Sequence, residues 1–211
     1  MSITQNPRKG IIHIGASTGQ EAHQYYESHL NVLWIEANPS IYQRLIQNIS
    51  RYENQIALNC LLTDVNDKQY EFHVSNNNGE SSSIFELHHH KEIWPNVTYS
   101  SKLHLNSKTL STLLHEENID LDKYDGLILD TQGSELLILQ GGVDILNNIT
   151  YVKTEVADFE SYKDCCQLTE MDDFFTHHGF KRTALIQFAE SRYGNYYDAI
   201  YEKDVGQSQP A

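Results

Sequence analysis

The chain is short of positive charge. Lys and Arg number 15 against 29 Asp and Glu, giving a formal net charge of −14 over 211 residues with His neutral. Nucleic-acid surfaces work by neutralising phosphates with Lys and Arg. Here the few basic residues are scattered rather than striped, so no nucleic-acid partner is expected. Long apolar runs are also missing: nothing approaches the ~18 consecutive apolar residues of a membrane span. The polar start, residues 1–7, has no signal-peptide core. Three cysteines, with Cys165 and Cys166 adjacent, make no disulfide framework, so a reducing, cytoplasmic compartment is expected. No internal repeat is visible.

The length is most simply that of one domain with a substantial core. The folded part is expected to span residues 9–203, between polar ends. Two readings follow, a minimal enzyme or a domain of a longer polypeptide.

What is present is concentrated in residues 9–38. Ile11-Ile12-His13-Ile14 runs directly into Gly15-Ala16-Ser17-Thr18-Gly19. A polar, helix-like stretch covers 20–29, then Val32-Leu33-Trp34-Ile35 is closed by Glu36. Strand, glycine turn, helix, strand and acid form half of a nucleotide-binding βαβ unit. Gly15 and Gly19 permit a tight turn and a close backbone approach to a ligand. The helix start offers free N–H groups and a partial positive charge. Glu36 follows Gly15 at about the 20-residue offset where an acid meets ribose hydroxyls. Ser17 and Gln20 replace the glycines of a dinucleotide fingerprint, so a pyrophosphate finds no cradle. S-adenosylmethionine, with a ribose and no phosphate, needs only the turn and the acid.

Downstream, residues 39–52 read as an amphipathic helix opened by Pro39. Residues 56–62 read as one buried strand ending near Thr63-Asp64, and 70–74 as a half-exposed strand. Residues 79–107 are the least regular part, and long irregular segments tend to be binding loops. Within them His88-His89-His90 reads as a solvated surface run, because adjacent side chains point different ways. A helix capped by Ser107 or Thr109 is expected, then a buried strand at 127–129, a helix over 134–146 and a strand over 149–156. A helix over 171–178 stops at Gly179, and strands at 180–188 and 196–201 close the chain. The pattern predicts a doubly wound, mostly parallel α/β sheet of seven strands with an antiparallel C-terminal hairpin.

In such sheets ligands sit beyond the carboxyl ends of the strands. Those ends carry Gly15 to Gly19, Glu36, Thr63-Asp64, Asp130 to Glu135, and Glu155 with Asp158. Any one of these acids reads equally well as a helix cap. Together they are a cluster that needs a reason to coexist.

His13 to Gly19, Ile35-Glu36-Ala37-Asn38-Pro39 and the block from Leu129 to Gly142, with Asp130, Gly133, Glu135 and a terminal Gly141-Gly142, resemble the FkbM-type methyltransferases. The resemblance covers residues 9–203. It implies the class I Rossmann-like methyltransferase fold and S-adenosylmethionine as cofactor. It further implies O-methyl transfer to a hydroxyl of a sugar, glycan or similar small polyol, and work alongside or fused to glycosyltransferases. By position, Gly15, Ala16 and Gly19 would line the methionine moiety, with His13 and Ser17 also in the cofactor site. Glu36 would hold the ribose, and Asn38, Leu62 and Asp64 would border the adenine. Asp130 would sit between cofactor and acceptor. Two departures stand out: His13 replaces the family's usual Asp, and Gln132 its usual Glu. The second lowers the site's negative charge and leaves a divalent metal open.

A sugar hydroxyl is a poor nucleophile near neutral pH, so a base is expected, with Asp130 and Glu155 the candidates. Ser82, Trp94, Tyr99 and Gln132 are the candidates for the acceptor. Two other readings compete. A nicotinamide-dependent sugar reductase or epimerase is opposed by Ser17, Gln20 and the lack of a Tyr-x-x-x-Lys pair. A non-catalytic nucleoside-binding module of a glycan-assembly protein is opposed by the rim of carboxylates.

Overall fold

The computed structural model describes residues 7–203. Of the polar ends expected at 1–7 and 205–211, all but Pro7 lie outside the described residues. The first apolar run forms β1 (Gly10–Ile14), with every residue buried. It pairs in parallel with β2 (Asn31–Glu36) on one side. Two further strands, β3 (Gln55–Asn59) and β4 (Leu61–Leu62), follow α1 (Ala22–Glu27) and α2 (Pro39–Ile49). The chain continues through β5 (Gln69–Ser75), α3 (His90–Ile93), β6 (Tyr99–Lys108), α4 (Leu110–Glu116), β7 (Gly126–Leu129) and α5 (Glu135–Gln140). It ends with β8 (Tyr151–Ala157), α6 (Leu168–His177), β9 (Phe180–Ser191) and β10 (Gly194–Lys203).

Seven strands form the main sheet in the order β3-β2-β1-β7-β8-β10-β9. All pairings are parallel except those of β10 with β8 and β9. The expected mostly parallel sheet with a terminal antiparallel hairpin is what forms. Period-two alternation sends successive side chains to opposite faces. Ile12, Ile14, Leu33, Ile35, Leu127 and Leu129 therefore pack with Ile138, Met171 and Phe175 in one core. Ile11, Val32 and Trp34 pack with Tyr25, Leu45 and Tyr52 in the other.

α2 begins where the sequence places it, because Asn38 Oδ1 accepts from Ser40 N at 3.0 Å and Pro39 needs no donor partner. Other boundaries move. α5 stops at Gln140, not 146, because Gly141 and Gly142 break it before a 3₁₀ turn at Val143–Asn147. A side chain at Gly142 would collide with Leu110 of α4. α6 starts at Leu168 through a capping box between Gln167 and Glu170.

Two expectations are overturned. The strand expected over 56–62 is two strands. Cys60 N and Asn59 Nδ2 both donate to Glu36 O at the sheet's edge, and the chain then leaves the main sheet. Leu61-Leu62 joins a second sheet, ordered β4-β6-β5. Thr63-Asp64 therefore follows β4 rather than ending a strand of the main sheet. The irregular segment expected to reach 107 ends at 98, since β6 pairs antiparallel with β5 from Tyr99 onward. Its exposed polar residues alternate with half-buried Leu103 and Leu105, as a solvent-facing strand requires. Among the described residues no helix is long and apolar enough to cross a membrane.

Candidate active site

The carboxyl ends of β1, β2, β7 and β8 open into one cavity of about 380 Å³, roomy enough for a small-molecule ligand. The segment between β5 and β6 roofs it. His13, Gly15, Ala16, Ser17, Glu36, Leu62, Ser82, Trp94, Asp130, Gln132 and Glu155 all line it. Gly19, Asn38, Asp64 and Tyr99 do not. Gly19 (φ +72°) faces Leu45 of α2, and Asn38 is occupied as the cap of that helix. Asp64 is exposed beyond β4. The Tyr99 hydroxyl donates to Phe85 O at 2.6 Å while its ring stacks on His73.

The turn after β1 is dictated by one glycine. Gly15 has φ +81°, and a Cβ there would strike the backbone carbonyl of Asp130. Only glycine lets the two strand ends approach this closely. Gly15 N and Ala16 N both donate to Ile35 O, at 3.0 and 3.1 Å. Glu36 is then gripped from two sides. Its Oε2 accepts from Ser17 N at 2.9 Å and its Oε1 from Asn38 N at 2.8 Å. Only 7% of it is exposed. Burial pushes its carboxyl up to about 7 against the pull of those backbone donors. Each oxygen keeps a free lone pair for a ligand hydroxyl. This fits an adenosyl ribose. His13 is buried beside the turn, stacked on Trp34 at 4.9 Å and paired through Nδ1 with the Tyr25 hydroxyl at 3.2 Å. Burial lowers its pKa, so the ring is neutral.

On the other side, Gln132 ties the acids together. Its Nε2 donates to Asp130 Oδ1 at 2.6 Å and Glu155 Oε2 at 2.8 Å, and its Oε1 accepts from the Tyr162 hydroxyl at 2.6 Å. Glu155 is driven well above the usual carboxylate range, first by burial and then by the charge of Asp130 and a hydrogen bond with it. The loop is held from beneath by Glu135, which accepts from Thr131 N at 2.7 Å and Gly133 N at 3.0 Å. The Gln132 amide stands between Asp130 and Glu155 as a donor to both, so this pair does not present a vacant cation site. Elsewhere, Glu71, His73 and Glu86 bring ligand atoms within 4.8 Å of one another. They do not line the cavity, and Lys102 pairs with Glu71.

The roof is ordered by its own hydrogen bonds. Ser82 Oγ accepts from Ser75 N at 3.1 Å, and Ser83 Oγ donates to Gln132 O at 2.7 Å. The expected solvated histidine run holds only in part: His90 is 1% exposed and lines the cavity. His90 Nδ1 and Thr131 Oγ1, both on lining residues, are buried without a hydrogen-bond partner. Tyr162 escaped the sequence reading, His90 was expected at the surface, and Glu135 was counted among the strand-end acids without a role of its own. Only Glu135, opening a helix after a glycine loop, left a local signal.

Comparison with known proteins identifies the family of the fold that carries this cavity. The model of a family described as the methyltransferase FkbM domain matches residues 13–182. The 2-O-methyltransferase NoeI of Sinorhizobium fredii is 23% identical over 171 residues, covering 77% of this chain and 69% of the relative. Among solved structures, magnesium protoporphyrin IX methyltransferase from Synechocystis with bound S-adenosylmethionine superposes with a TM-score of 0.51 and 9% identity, over 94% of this chain and 71% of that one. Sp1610 of Streptococcus pneumoniae, also in complex with S-adenosylmethionine, gives 0.53 and 13%, over 100% and 72%.

Proposed function

The chain belongs to the FkbM methyltransferase domain family and is an S-adenosylmethionine-dependent methyltransferase; from that premise we propose that it methylates a hydroxyl of a sugar, glycan or similar small polyol. The observation that carries this reading is the split of one cavity into two chemical ends. A buried ribose acceptor, Glu36, stands at the β2 end, and an acid pair, Asp130 and Glu155, stands at the β7 and β8 ends. The similarity to a 2-O-methyltransferase points the same way.

Bound S-adenosylmethionine supplies a methyl carbon activated by a sulfonium. The chain's own residues do the rest. Glu36 holds the ribose hydroxyls through the lone pairs its backbone donors leave free. His13, Gly15, Ala16 and Ser17, which line the same cavity, would border the methionine moiety, and Leu62 would border the adenine. Asp130, exposed to the cavity, takes the proton of the acceptor hydroxyl as the oxygen attacks. Glu155, its carboxyl driven well above the usual range by burial and by Asp130, stands beside Asp130 and steadies it. Gln132 keeps both carboxyls in place. Holding reactants in line contributes roughly 7–11 kcal/mol in well-oriented systems, so positioning outweighs the base. Ser82 and Trp94 border the acceptor.

Thermal shift with S-adenosylhomocysteine and with NADP tests the cofactor. Radiolabelled transfer to a panel of methyl glycosides tests the acceptor. Stabilisation by the first ligand only, with transfer to at least one glycoside, is expected. Transfer to no glycoside under saturating cofactor would remove the carbohydrate reading.

A further inference from the structure

The three consecutive histidines have three fates. His88 Nδ1 lies 3.2 Å from Glu160 Oε2 at the surface. His89 stacks on Tyr193 with ring centroids 3.6 Å apart. His90, at the start of α3, turns inward and is 1% exposed. Its N–H backbone group donates to Ser161 O at 2.9 Å, which anchors the helix start against the loop after β8. The ring packs at a tilt against Trp94 at 4.6 Å and Tyr162 at 5.2 Å, and its Nδ1 has no hydrogen-bond partner. Native interiors rarely strand a polar atom, and each case calls for an explanation.

Burial, with Lys91 adding to it, holds the ring's pKa down at about 4. A neutral imidazole offers one donor and one lone pair. A hydroxyl, which also both donates and accepts, matches that pair.

Position says which ligand meets it. His90 packs against Tyr162, whose hydroxyl donates to Gln132, which in turn donates to Asp130 and Glu155. The ring therefore belongs to the β8 side. Glu36 closes β2, and β1 and β7 lie between β2 and β8, a separation of roughly 14 Å at about 4.8 Å per strand. The ribose end is out of its reach, and the acceptor end is not.

We propose that His90 binds the acceptor: its imidazole hydrogen-bonds a hydroxyl of a sugar or polyol whose apolar C–H face lies on the Trp94 ring. This rests on the O-methyltransferase reading above. His90 is given no part in proton removal, for a base that weak suits recognition better than catalysis.

The test uses the whole protein with saturating S-adenosylmethionine and the methyl glycoside that the wild type methylates best. His90→Phe keeps an aromatic ring against Trp94 and Tyr162 while deleting both nitrogens. It is expected to raise the acceptor KM about tenfold, with S-adenosylhomocysteine affinity by calorimetry within twofold of wild type. His90→Gln restores a donor and an acceptor and is expected to bring KM back to within about threefold. An unchanged KM in His90→Phe overturns the assignment. So does a joint loss of melting temperature and S-adenosylhomocysteine affinity in both variants, which marks a packing role. Failure of the wild type to methylate any glycoside overturns the carbohydrate reading and the sugar hydroxyl with it. That outcome is distinct from the other two, because it appears before any variant is made.

Discussion

Gln132 Nε2 lies 2.8 Å from Glu155 Oε2 and donates to it, while also donating to Asp130 Oδ1 at 2.6 Å. One neutral amide thus holds two acids side by side in a partly buried site. Two carboxylates this close resist ionising together. Burial and the Asp130 charge drive the Glu155 carboxyl well above the usual carboxylate range.

The two acids are therefore not equivalent. Asp130→Asn is expected to cut kcat by 10²-fold or more, within the usual range for losing a general base. Glu155→Gln mimics the protonated acid and is expected to keep kcat within about fivefold. Initial rates under saturating cofactor check this, and equal losses in the two variants would contradict it.

Gln132→Glu would put a third acid where the amide now donates twice. Melting temperature at pH 7.5 is expected to fall by roughly 5 °C, about 2 kcal/mol for a domain of this size. Millimolar Mg²⁺ or Mn²⁺ is expected to restore it, and to leave the wild type unmoved. Melts with the cation and with chelator measure both.

Glu36 makes cofactor binding sensitive to pH. Its carboxyl is raised to about 7 by burial, and ribose hydroxyls need an acceptor. Affinity for S-adenosylhomocysteine is expected to weaken as pH falls from 8 to 6, and the pH dependence to flatten in Glu36→Gln. Stability of the unliganded protein runs the other way. A raised carboxylate pKa favours the neutral form. Its contribution is full below about 4.5 and lost as pH climbs through about 7. Between pH 5 and 8 the wild type is expected to lose up to about 3 kcal/mol relative to Glu36→Gln, measured by urea unfolding.

Glu135 holds the loop that carries Gln132. It is 3% exposed and accepts from two backbone N–H groups. Glu135→Ala strands those donors, and unfolding free energy is expected to drop by about 2–4 kcal/mol. Turnover is expected to fall further than cofactor affinity, since Asp130 and Gln132 shift while the Gly15 turn stays.

Most of the frame was legible because it rests on local rules. Parallel strands buried on both faces read as unbroken apolar runs, as in Ile11 to Ile14 and Leu127 to Leu129. Gly15 and Glu36, singled out by spacing, and Asp130 and Glu155, singled out by the rule that strand ends carry chemistry, line one cavity. The illegible parts depend on contacts distant in sequence. Cys60 breaks a continuous apolar run because it bonds to Glu36 O, across a sheet edge. β6 hides its period behind a polar face. Asn38 looks like a ligand residue but is consumed as a helix cap. His90 is buried by its turn against Ser161 and Tyr162, residues roughly 70 positions away, which three consecutive histidines cannot reveal.

Isothermal titration of S-adenosylhomocysteine into the folded wild type and into Glu36→Ala, with NADP as control, is the most direct measurement. One-to-one micromolar binding to the wild type, at least thirtyfold weaker in Glu36→Ala, with no heat from NADP, is the expected result. No heat from S-adenosylhomocysteine, or equal affinity in the two proteins, would contradict a cofactor seated between the Gly15 turn and the acid that closes β2.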